Sequence, residues 1–146
     1  MPLHGAYEPS PRPGVRDQVA QYEATDGAQG RLFRGRPVVI LTSRAAKTGV
    51  LRKNPLIRVE DNGRYAVVSS DGSAPTNPAW YHNVSAHPEV ELQDGAVRRD
   101  MRAREVHGAE KAEWWQRALS VYPEYSTYQK NVDREIPVFV LEPVAD

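Results

Sequence analysis

Two turn signals, Asn62-Gly63 and Asp94-Gly95, constrain the fold of this chain more than any other feature of its sequence. Each pair lies between two short runs of residues that favour strands, and tight β-turns use Asn, Asp and Gly because these residues tolerate positive φ. A turn of this kind joins neighbouring strands in antiparallel order. Both pairs therefore predict β-hairpins and a mainly antiparallel sheet.

Further strands are predicted on both sides of these hairpins. Residues 38–41 form a continuous apolar run of the kind that is buried on both faces of a sheet. Residues 51–60 alternate less regularly, and Pro55 predicts an edge position or a bulge within them. The other expected strands cover residues 64–70, 89–93, 96–106 and 136–142.

Helical periodicity interrupts these strands over residues 15–25, 79–86, 108–121 and 124–131. In the third of these helices, one apolar stripe is formed by Ala112, Trp115, Ala118 and Leu119. The neighbouring Trp114 is then expected at a rim or at a contact between subunits.

The 146 residues are enough for one domain around one core. Prolines at positions 2, 9, 11 and 13 predict that residues 1–14 form a flexible arm, which leaves residues 15–146 for the domain. Because hairpins dominate and no parallel crossover is evident, the expected fold is an α+β barrel of about six antiparallel strands flanked by short helices.

Composition excludes several classes of protein. The 19 basic and 19 acidic residues cancel, so no net charge attracts nucleic acid or a membrane surface. The absence of cysteine excludes thiolate nucleophiles, Cys-ligated metals and disulfides. The four histidines lack a ligand spacing, so no metal site is expected, and no apolar run approaches the roughly 20 residues of a membrane helix. We expect a cytoplasmic protein, in which only the arm offers a route to a membrane.

Residues 47–56 place three cations and a glycine at a turn that leads into a strand. Lys47 supplies a point charge, Gly49 exposes backbone N–H groups, and Arg52 supplies a planar fork that matches phosphate oxygens. The order differs from a P-loop, since the glycine follows the lysine. A phosphate site and an ordinary solvated hairpin turn both remain open for this segment.

Residues 69–83 run from the end of a strand through small residues to the start of a helix. Such a start presents free N–H groups that bind an anionic or carbonyl-bearing group. Trp80 and Tyr81 follow, and they either lie against a flat ring or fill the core, since aromatic side chains mostly pack.

These two segments belong to a longer succession of motifs. It reads Lys-Thr-Gly, Arg-x-Asn-Pro-Leu, the Asn-Gly hairpin, Ser-x-Gly, Pro-x-Trp-Tyr-x-Asn and Ala-x-Pro-x-Val-x-Leu. In this combination the chain resembles the deazaflavin-dependent nitroreductase family, and the likeness runs from the first helix to Pro143. The resemblance implies a split β-barrel that binds coenzyme F420, an 8-hydroxy-5-deazaflavin whose tail carries a phosphodiester and glutamates.

The resemblance also implies roles for the matching positions. The residues expected to bind the tail phosphate and its surroundings are Lys47, Thr48, Gly49, Arg52, Asn54 and Pro55. Those expected to line one side of the ring are Val68, Ser69, Ser70 and Asp71, and those expected to hold its other side are Ala79, Trp80 and Tyr81.

The chain departs from the family pattern in two places. The lysine at position 47 is preceded by Arg44-Ala45-Ala46, where the family often has Gly-Arg or Gly-Ala. One cation that the family often carries here is therefore at a different position in this chain or absent from it. Ile57 stands where some members carry a tyrosine near the substrate, which puts substrate choice in more doubt than cofactor binding.

Three tyrosines near the end of the chain, Tyr122, Tyr125 and Tyr128, resemble the family's wall on the substrate side, which also includes Ile57. Hydride addition to an acceptor leaves an anion that a phenol protonates or hydrogen-bonds. Tyr125 is therefore the predicted catalytic residue, with Ser70 as a second. The alternative is that the three tyrosines only pack the last helix against the barrel.

The leading hypothesis is an oxidoreductase that uses reduced F420 to give a hydride to an electron-poor small molecule, such as an enone, a quinone or a nitroaromatic. One alternative is an oxidoreductase that uses flavin mononucleotide (FMN) on the same barrel. Another is a carrier that binds a cofactor or lipid without turnover. Small split barrels often pair, so a homodimer is a further expectation, with Trp114 or Trp115 at the contact.

Overall fold

In the computed structural model, residues 3–72 and 74–144 are described. Met1, Pro2, Ser73, Ala145 and Asp146 lie outside them, together with the expectations for those positions. The helices are α1 (Pro13–Ala24), α2 (Ala79–Ala86), α3 (Gly108–Val121) and α4 (Glu124–Lys130). The strands are β1 (Leu32–Phe33), β2 (Arg36–Arg44), β3 (Leu51–Ile57), β4 (Val59–Asp61), β5 (Arg64–Val68), β6 (Glu89–Asp94), β7 (Val97–Glu105) and β8 (Val138–Pro143).

The strands form one curled sheet in the order β1-β2-β6-β7-β8-β5-β4, with β3 also paired to β2. The ladders between these strands are antiparallel. Although β3 and β4 lie at opposite ends of the pairing order, they are consecutive in the chain, so their connection brings the two ends of the sheet together. The predicted antiparallel α+β barrel is confirmed.

The sheet has eight strands where the sequence predicted about six. The short β1 was not expected, and the single strand predicted over residues 51–60 is two strands that break at Arg58. The Arg58 N–H donates to Pro37 O at 2.9 Å, outside the β2–β3 ladder, whose register ends at Val38 and Ile57. This break turns the chain from one end of the sheet to the other.

The two predicted hairpins form, but the second turn is shifted by one residue. Asn62 and Gly63 both have positive φ, at 53° and 80°. In the second hairpin Asp94 still pairs with Val97 in the ladder, so the turn residues are Gly95 and Ala96. Gly95 has a φ of 62° and therefore supplies the positive φ alone.

Both faces of the sheet are buried by helices. One apolar cluster joins α1, α3 and α4 to β2, β5 and β8, and it includes Val19, Val38 and Val138. The other joins α2 to the opposite side chains of the same strands, including Val39 and Phe139. Burial of alternate side chains on both faces explains the continuous apolar runs of β2 and β8.

The expected apolar stripe of α3 is only partly correct, because Trp115, Ala118 and Leu119 lie in or against the apolar cluster but Ala112 does not. Trp114 is only 1% exposed and Ala118 is fully buried, whereas Ala112 is exposed and Trp115 is half-buried against the same cluster. Positions four apart lie on one helix face, so Trp114 and Ala118 define the inward face. Trp114 is therefore unavailable for a contact between subunits.

Residues 4–8 of the arm run beside β3. The Leu51 N–H donates to Ala6 O at 2.8 Å, and the Glu8 N–H donates to Leu51 O at 3.0 Å. Arg44 Nη2 donates to His4 O at 2.8 Å. These contacts give the arm a defined course, while its flexibility and the division of the chain at residue 14 stay predictions.

Candidate active site

A cavity of about 780 Å³ opens beside the curled sheet. Its wall combines the start of α1, the strand β3, the end of β5, the start of α2, and α4. A volume of this size is typical of sites for small molecules and cofactors. The fold brings parts of the chain that are far apart in the sequence to this cavity.

The cavity is lined by Arg52, Asn54 and Pro55 from β3, which the sequence predicted to bind phosphate. Arg52 is about three-tenths exposed, and its Nη1 lies 3.7 Å from Glu8 Oε1 of the arm. Lys47 and Thr48 are exposed on the turn between β2 and β3, outside the cavity wall.

That turn is closed by its own backbone. The Gly49 N–H donates to Ala45 O at 3.0 Å, and Gly49 O accepts from Arg44 Nη1 at 2.9 Å. Gly49 has a φ of 77°, which favours glycine. Gly49 therefore shapes the turn but does not line the cavity.

The end of β5 and the residues just after it line the cavity through Val68, Ser70 and Asp71. Asp71 and Gly72 have successive positive φ values of 47° and 63°, so the chain turns sharply here. Ser69 is completely buried, and its hydroxyl donates to Asn77 Oδ1 at 3.0 Å. Of the predicted ring residues on this strand, Ser69 is the one outside the cavity wall.

The start of α2 adds Ala79 and Trp80 to the wall. Trp80 is 4% exposed, and its ring centroid lies 6.1 Å from that of Phe139. The tryptophan is thus both a core residue and a cavity wall. Tyr81 lies behind the wall, packs on Phe139, and donates its hydroxyl to Glu105 Oε1 at 3.1 Å.

The cavity is also lined by Tyr122, Tyr125, Tyr128 and Ile57. The hydroxyls of Tyr122 and Tyr128 are hydrogen-bonded at 2.6 Å, and the ring of Tyr125 meets that of Tyr122 edge to face at 4.9 Å. These tyrosines also belong to or pack against the core, so their packing role is seen directly, while the catalytic role of Tyr125 stays a prediction.

The phenols of Tyr122 and Tyr125 are kept protonated. Burial, followed by the nearby phenols of Tyr122 and Tyr128, raises the pKa of Tyr125 well above its ordinary value. Burial and the hydrogen bond with Tyr128 raise the pKa of Tyr122 to about 12. Near neutral pH each can therefore donate a proton.

Sequence reasoning missed the mouth of the cavity, which includes Arg12, Phe33 and Arg34. Phe33 is 44% exposed, its ring centroid lies 6.3 Å from that of Tyr122, and the Arg34 guanidinium lies 5.5 Å from the Phe33 ring. The run Arg31-Leu32-Phe33-Arg34 carried the signal, because an apolar pair between arginines is unusual in an exposed turn.

Sequence reasoning also missed Arg134, between α4 and β8. Its guanidinium donates to Ser69 O at 3.1 Å and to Ser70 O at 2.9 Å, so it lies directly behind the wall formed by β5. No pattern in the sequence marks this arginine, because its partners lie about 60 residues earlier in the chain.

Comparison with known proteins identifies the group to which this site belongs. A family model described as F420H(2)-dependent quinone reductase matches residues 14–143. The chain belongs to this family. Membership in the F420H(2)-dependent quinone reductases confirms the predicted enzyme class and cofactor, a reductase that uses F420, and it does not support the FMN alternative.

Individual relatives agree with the family match. An F420H(2)-dependent quinone reductase of Mycobacterium tuberculosis is 36% identical over 131 residues, which cover 87% of this chain and 88% of that protein. A solved F420-H2 dependent reductase, FDR-A, is 49% identical, with a TM-score of 0.70 over 73% of this chain and 95% of that one. A structure described as a domain-swapped dimer is 45% identical, with a TM-score of 0.73 over 86% of this chain and 92% of that one.

The cavity of this F420H(2)-dependent quinone reductase family member fits such a cofactor in its donor set. Its lining includes the guanidinium of Arg52 and the amide of Asn54, which are groups that bind phosphate oxygens. It also includes the indole of Trp80, a surface on which a flat ring can pack, and the sharply turned backbone at Asp71 and Gly72.

Proposed function

We propose that this cavity binds reduced F420 beside an electron-poor acceptor of the quinone type, and that the acceptor is reduced at the three tyrosines. One observation carries the proposal, namely that Arg52 and Asn54 line the same cavity as Tyr122, Tyr125 and Tyr128. When bound, the cofactor supplies a hydride, and the residues of this chain bind, orient and protonate.

For the cofactor tail, we assign Arg52 the principal role. Its guanidinium lines the cavity and offers a planar fork to phosphate oxygens, with Asn54 and Pro55 beside it on β3. Lys47, Thr48 and Gly49 lie on the adjacent turn, so in this proposal they contribute through long-range charge and turn shape.

For the ring, we assign Val68, Ser70 and Asp71 to one side and Ala79 and Trp80 to the other, because these residues line the same cavity. Ser69 and Tyr81 support them from behind, through Asn77 and Glu105 respectively.

For the acceptor, we propose that the Tyr125 phenol donates a proton to the oxygen that becomes anionic when the hydride adds to a quinone. Tyr125 lines the cavity, and burial raises its pKa, which keeps the phenol protonated until the acceptor becomes anionic. Loss of water around this phenol strengthens its interaction with the new charge. Ser70 is a second hydroxyl on the same wall.

The test is a titration with oxidised F420, followed by deazaflavin fluorescence, with a deazaflavin that lacks the tail and with FMN as controls. We expect saturable binding of F420, weaker binding of the tail-free ring and still weaker binding of FMN. Arg52→Ala should weaken F420 binding about ten-fold while leaving the tail-free ring unchanged. An absence of F420 binding at micromolar concentrations contradicts the proposal.

Turnover separates an enzyme from a carrier. We expect oxidation of F420H2 in the presence of quinones, and slower oxidation with enones and nitroaromatics. Binding of F420 without turnover across all three acceptor classes would favour the carrier that the sequence left open.

We also propose that the protein forms a homodimer. Support comes from the 45% identical structure described as a domain-swapped dimer. Sedimentation velocity at two concentrations tests this, and a monomer of 16.4 kDa at both would contradict it.

Location in the cell is a separate proposal. No helix in residues 3–72 and 74–144 is long and apolar enough to cross a membrane. The cytoplasmic location expected from the sequence stays a prediction, tested by cell fractionation, and the contacts of residues 4–8 add no support for attachment of the arm to a membrane.

A further inference from the structure

Arg134 makes a fan of hydrogen bonds to the residues that follow β5, 69–72 and 74–77, which we call the ring loop. Nη1 donates to Ser69 O at 3.1 Å and to Asn77 Oδ1 at 2.7 Å, and Nη2 donates to Ser70 O at 2.9 Å. Nε donates to Ala74 O at 3.2 Å. One side chain therefore fixes the loop near its start, its middle and its end.

The charge of Arg134 is not neutralised within this fan. The four acceptors are backbone carbonyls and an amide oxygen, all of them neutral. The ion pairs between described residues do not include Arg134, although Glu135 beside it pairs with Lys111. Hydrogen bonds from a charged donor are stronger than those from a neutral one, so the fan holds the loop firmly.

The ring loop needs such an anchor because its backbone is unusual. Asp71 has positive φ without being glycine, a conformation that costs free energy unless its surroundings impose it. Ser70 and Asp71 line the cavity, while the carbonyls of Ser69 and Ser70 are drawn toward Arg134. The orientation of this wall therefore depends on a residue that does not line it.

We propose that Arg134 is a positioning residue for the reaction, which holds the ring loop in the shape that receives the flat ring of the cofactor. The inference rests on the proposed function, since it assigns the ring to this part of the cavity. Arg134 acts through Ser70 and Asp71 and touches neither cofactor nor acceptor.

The experiment compares Arg134→Gln and Arg134→Lys with the wild type and with a matched control, Arg104→Gln. Arg104 also donates three hydrogen bonds, to Glu110 and Glu142, but it lies on the surface of β7 away from the cavity wall. The readouts are dissociation constants for F420 and for the tail-free ring, the KM for a quinone, thermal unfolding, and amide exchange in the ligand-free protein.

For Arg134→Gln we expect the dissociation constants of F420 and of the tail-free ring to rise by the same factor, about ten-fold, because both ligands use the ring loop. The KM for the quinone should stay within two-fold of the wild-type value. Arg134→Lys should recover part of the affinity, because lysine keeps the positive charge but can make fewer of the hydrogen bonds to the ring loop. Arg104→Gln should bind both ligands as the wild type does.

Amide exchange separates failure of this inference from failure of the proposed function. In the ligand-free protein, Arg134→Gln should exchange faster at residues 70–72 and at the wild-type rate in β6 and β7. If the wild type binds no deazaflavin, the proposed function fails, and exchange still decides whether Arg134 orders the loop. Unchanged exchange, or an unchanged dissociation constant for the tail-free ring, overturns the inference. If Arg134→Gln does not fold, the same two readouts on Arg134→Lys decide.

Discussion

At the scale of single residues, the position of a side chain decides which of several similar groups lines the cavity. Tyr65, Tyr81 and Tyr125 all carry phenols, but the first two are hydrogen-bonded to carboxylates outside the cavity wall. Tyr125 lines the cavity beside two other phenols. The same reasoning separates Arg52, which lines the cavity, from Lys47, which does not.

The first prediction concerns Tyr125. Tyr125→Phe removes the proposed proton donor without removing the ring, so kcat should fall about 100-fold while the dissociation constant of F420 stays within two-fold. Steady-state kinetics and the fluorescence titration measure the two quantities. Tyr65→Phe, which removes a hydroxyl far from the cavity wall, should leave kcat unchanged.

The pH profile of the wild type adds an independent check on Tyr125. Because the pKa of this phenol is raised above its ordinary value, kcat should show no fall caused by its ionisation between pH 6 and 9, a window set below the roughly 10 of an unperturbed tyrosine. An undiminished kcat in Tyr125→Phe would remove Tyr125 from the mechanism.

The second prediction concerns the arm. Glu8 lies 3.7 Å from Arg52 and so competes with any anion for that guanidinium. Glu8→Gln should tighten binding of F420 about two- to five-fold at low salt, with little difference at high salt, because the pair is largely exposed.

The control for Glu8 is Asp17→Asn, which removes an equal charge from an exposed pair with Arg16. It should leave F420 binding unchanged, as should Glu8→Gln for the tail-free ring. Equal effects of the two variants on F420 would show that overall charge, rather than Glu8, controls binding.

At the scale of elements, the sequence predicted the turns well. It did not predict which face of α3 points inward or where a strand breaks. Asn62-Gly63 forms the expected turn because its φ preferences are local. The chain leaves its pairing with β2 just after Arg58, whose N–H still donates to Pro37 O, and the inward face of α3 is set by the packing of Trp114 in the apolar cluster. Neither contact can be predicted from residues that are neighbours in the chain.

The third prediction compares two glycines with nearly the same φ. Gly27 and Gly63 have φ values of 81° and 80°, but an added Cβ at Gly27 would lie 2.8 Å from Gly95 Cα, whereas one at Gly63 would meet nothing within 4 Å. Gly63→Ala should cost about 1 kcal/mol of unfolding free energy for its backbone alone. Gly27→Ala should cost about 2 kcal/mol more, since it forces the turn after α1 away from the β6–β7 hairpin.

Urea unfolding of the two variants measures both costs. The difference between them reports how tightly α1 is packed against that hairpin. Equal costs would mean that the hairpin moves without penalty.

At the scale of the whole molecule, the free energy of unfolding depends on the protonation of partly and fully buried tyrosines. Burial, followed by the hydrogen bond to Asp94, raises the pKa of Tyr65 to about 12, and the pKa of Tyr122 is raised to about 12 as well. Both phenols bind their protons more tightly in the folded protein than in the unfolded chain, where the pKa is about 10.

The fourth prediction follows from the sign of these shifts. The stabilisation is fully present below pH 10 and is lost as the pH rises from about 10 to about 12, because the unfolded chain releases its protons first. Tyr65→Phe should be about 1 kcal/mol less stable at pH 7, where it lacks the bond to Asp94, but should lose stability less steeply above pH 10. Urea unfolding at pH 7, 10 and 11.5 measures both effects, and equal slopes would contradict the assignment to Tyr65.

The sequence by itself determined the antiparallel sheet, the approximate places of its strands and helices, and the family with its cofactor. These follow from turn dipeptides, periodicity and short motifs, all of which depend on residues close together in the chain. It also indicated Arg52, Trp80 and Tyr125, whose side chains line one cavity.

Only the tertiary structure decided which predicted residues share that cavity and which support it from outside. Arg134 reaches Ser69 across 65 positions, and the connection between β3 and β4 brings the ends of the sheet together. Such contacts depend on strand register and on the curl of the sheet. Local propensity contains no information about either, because each is a property of all the strands packed together.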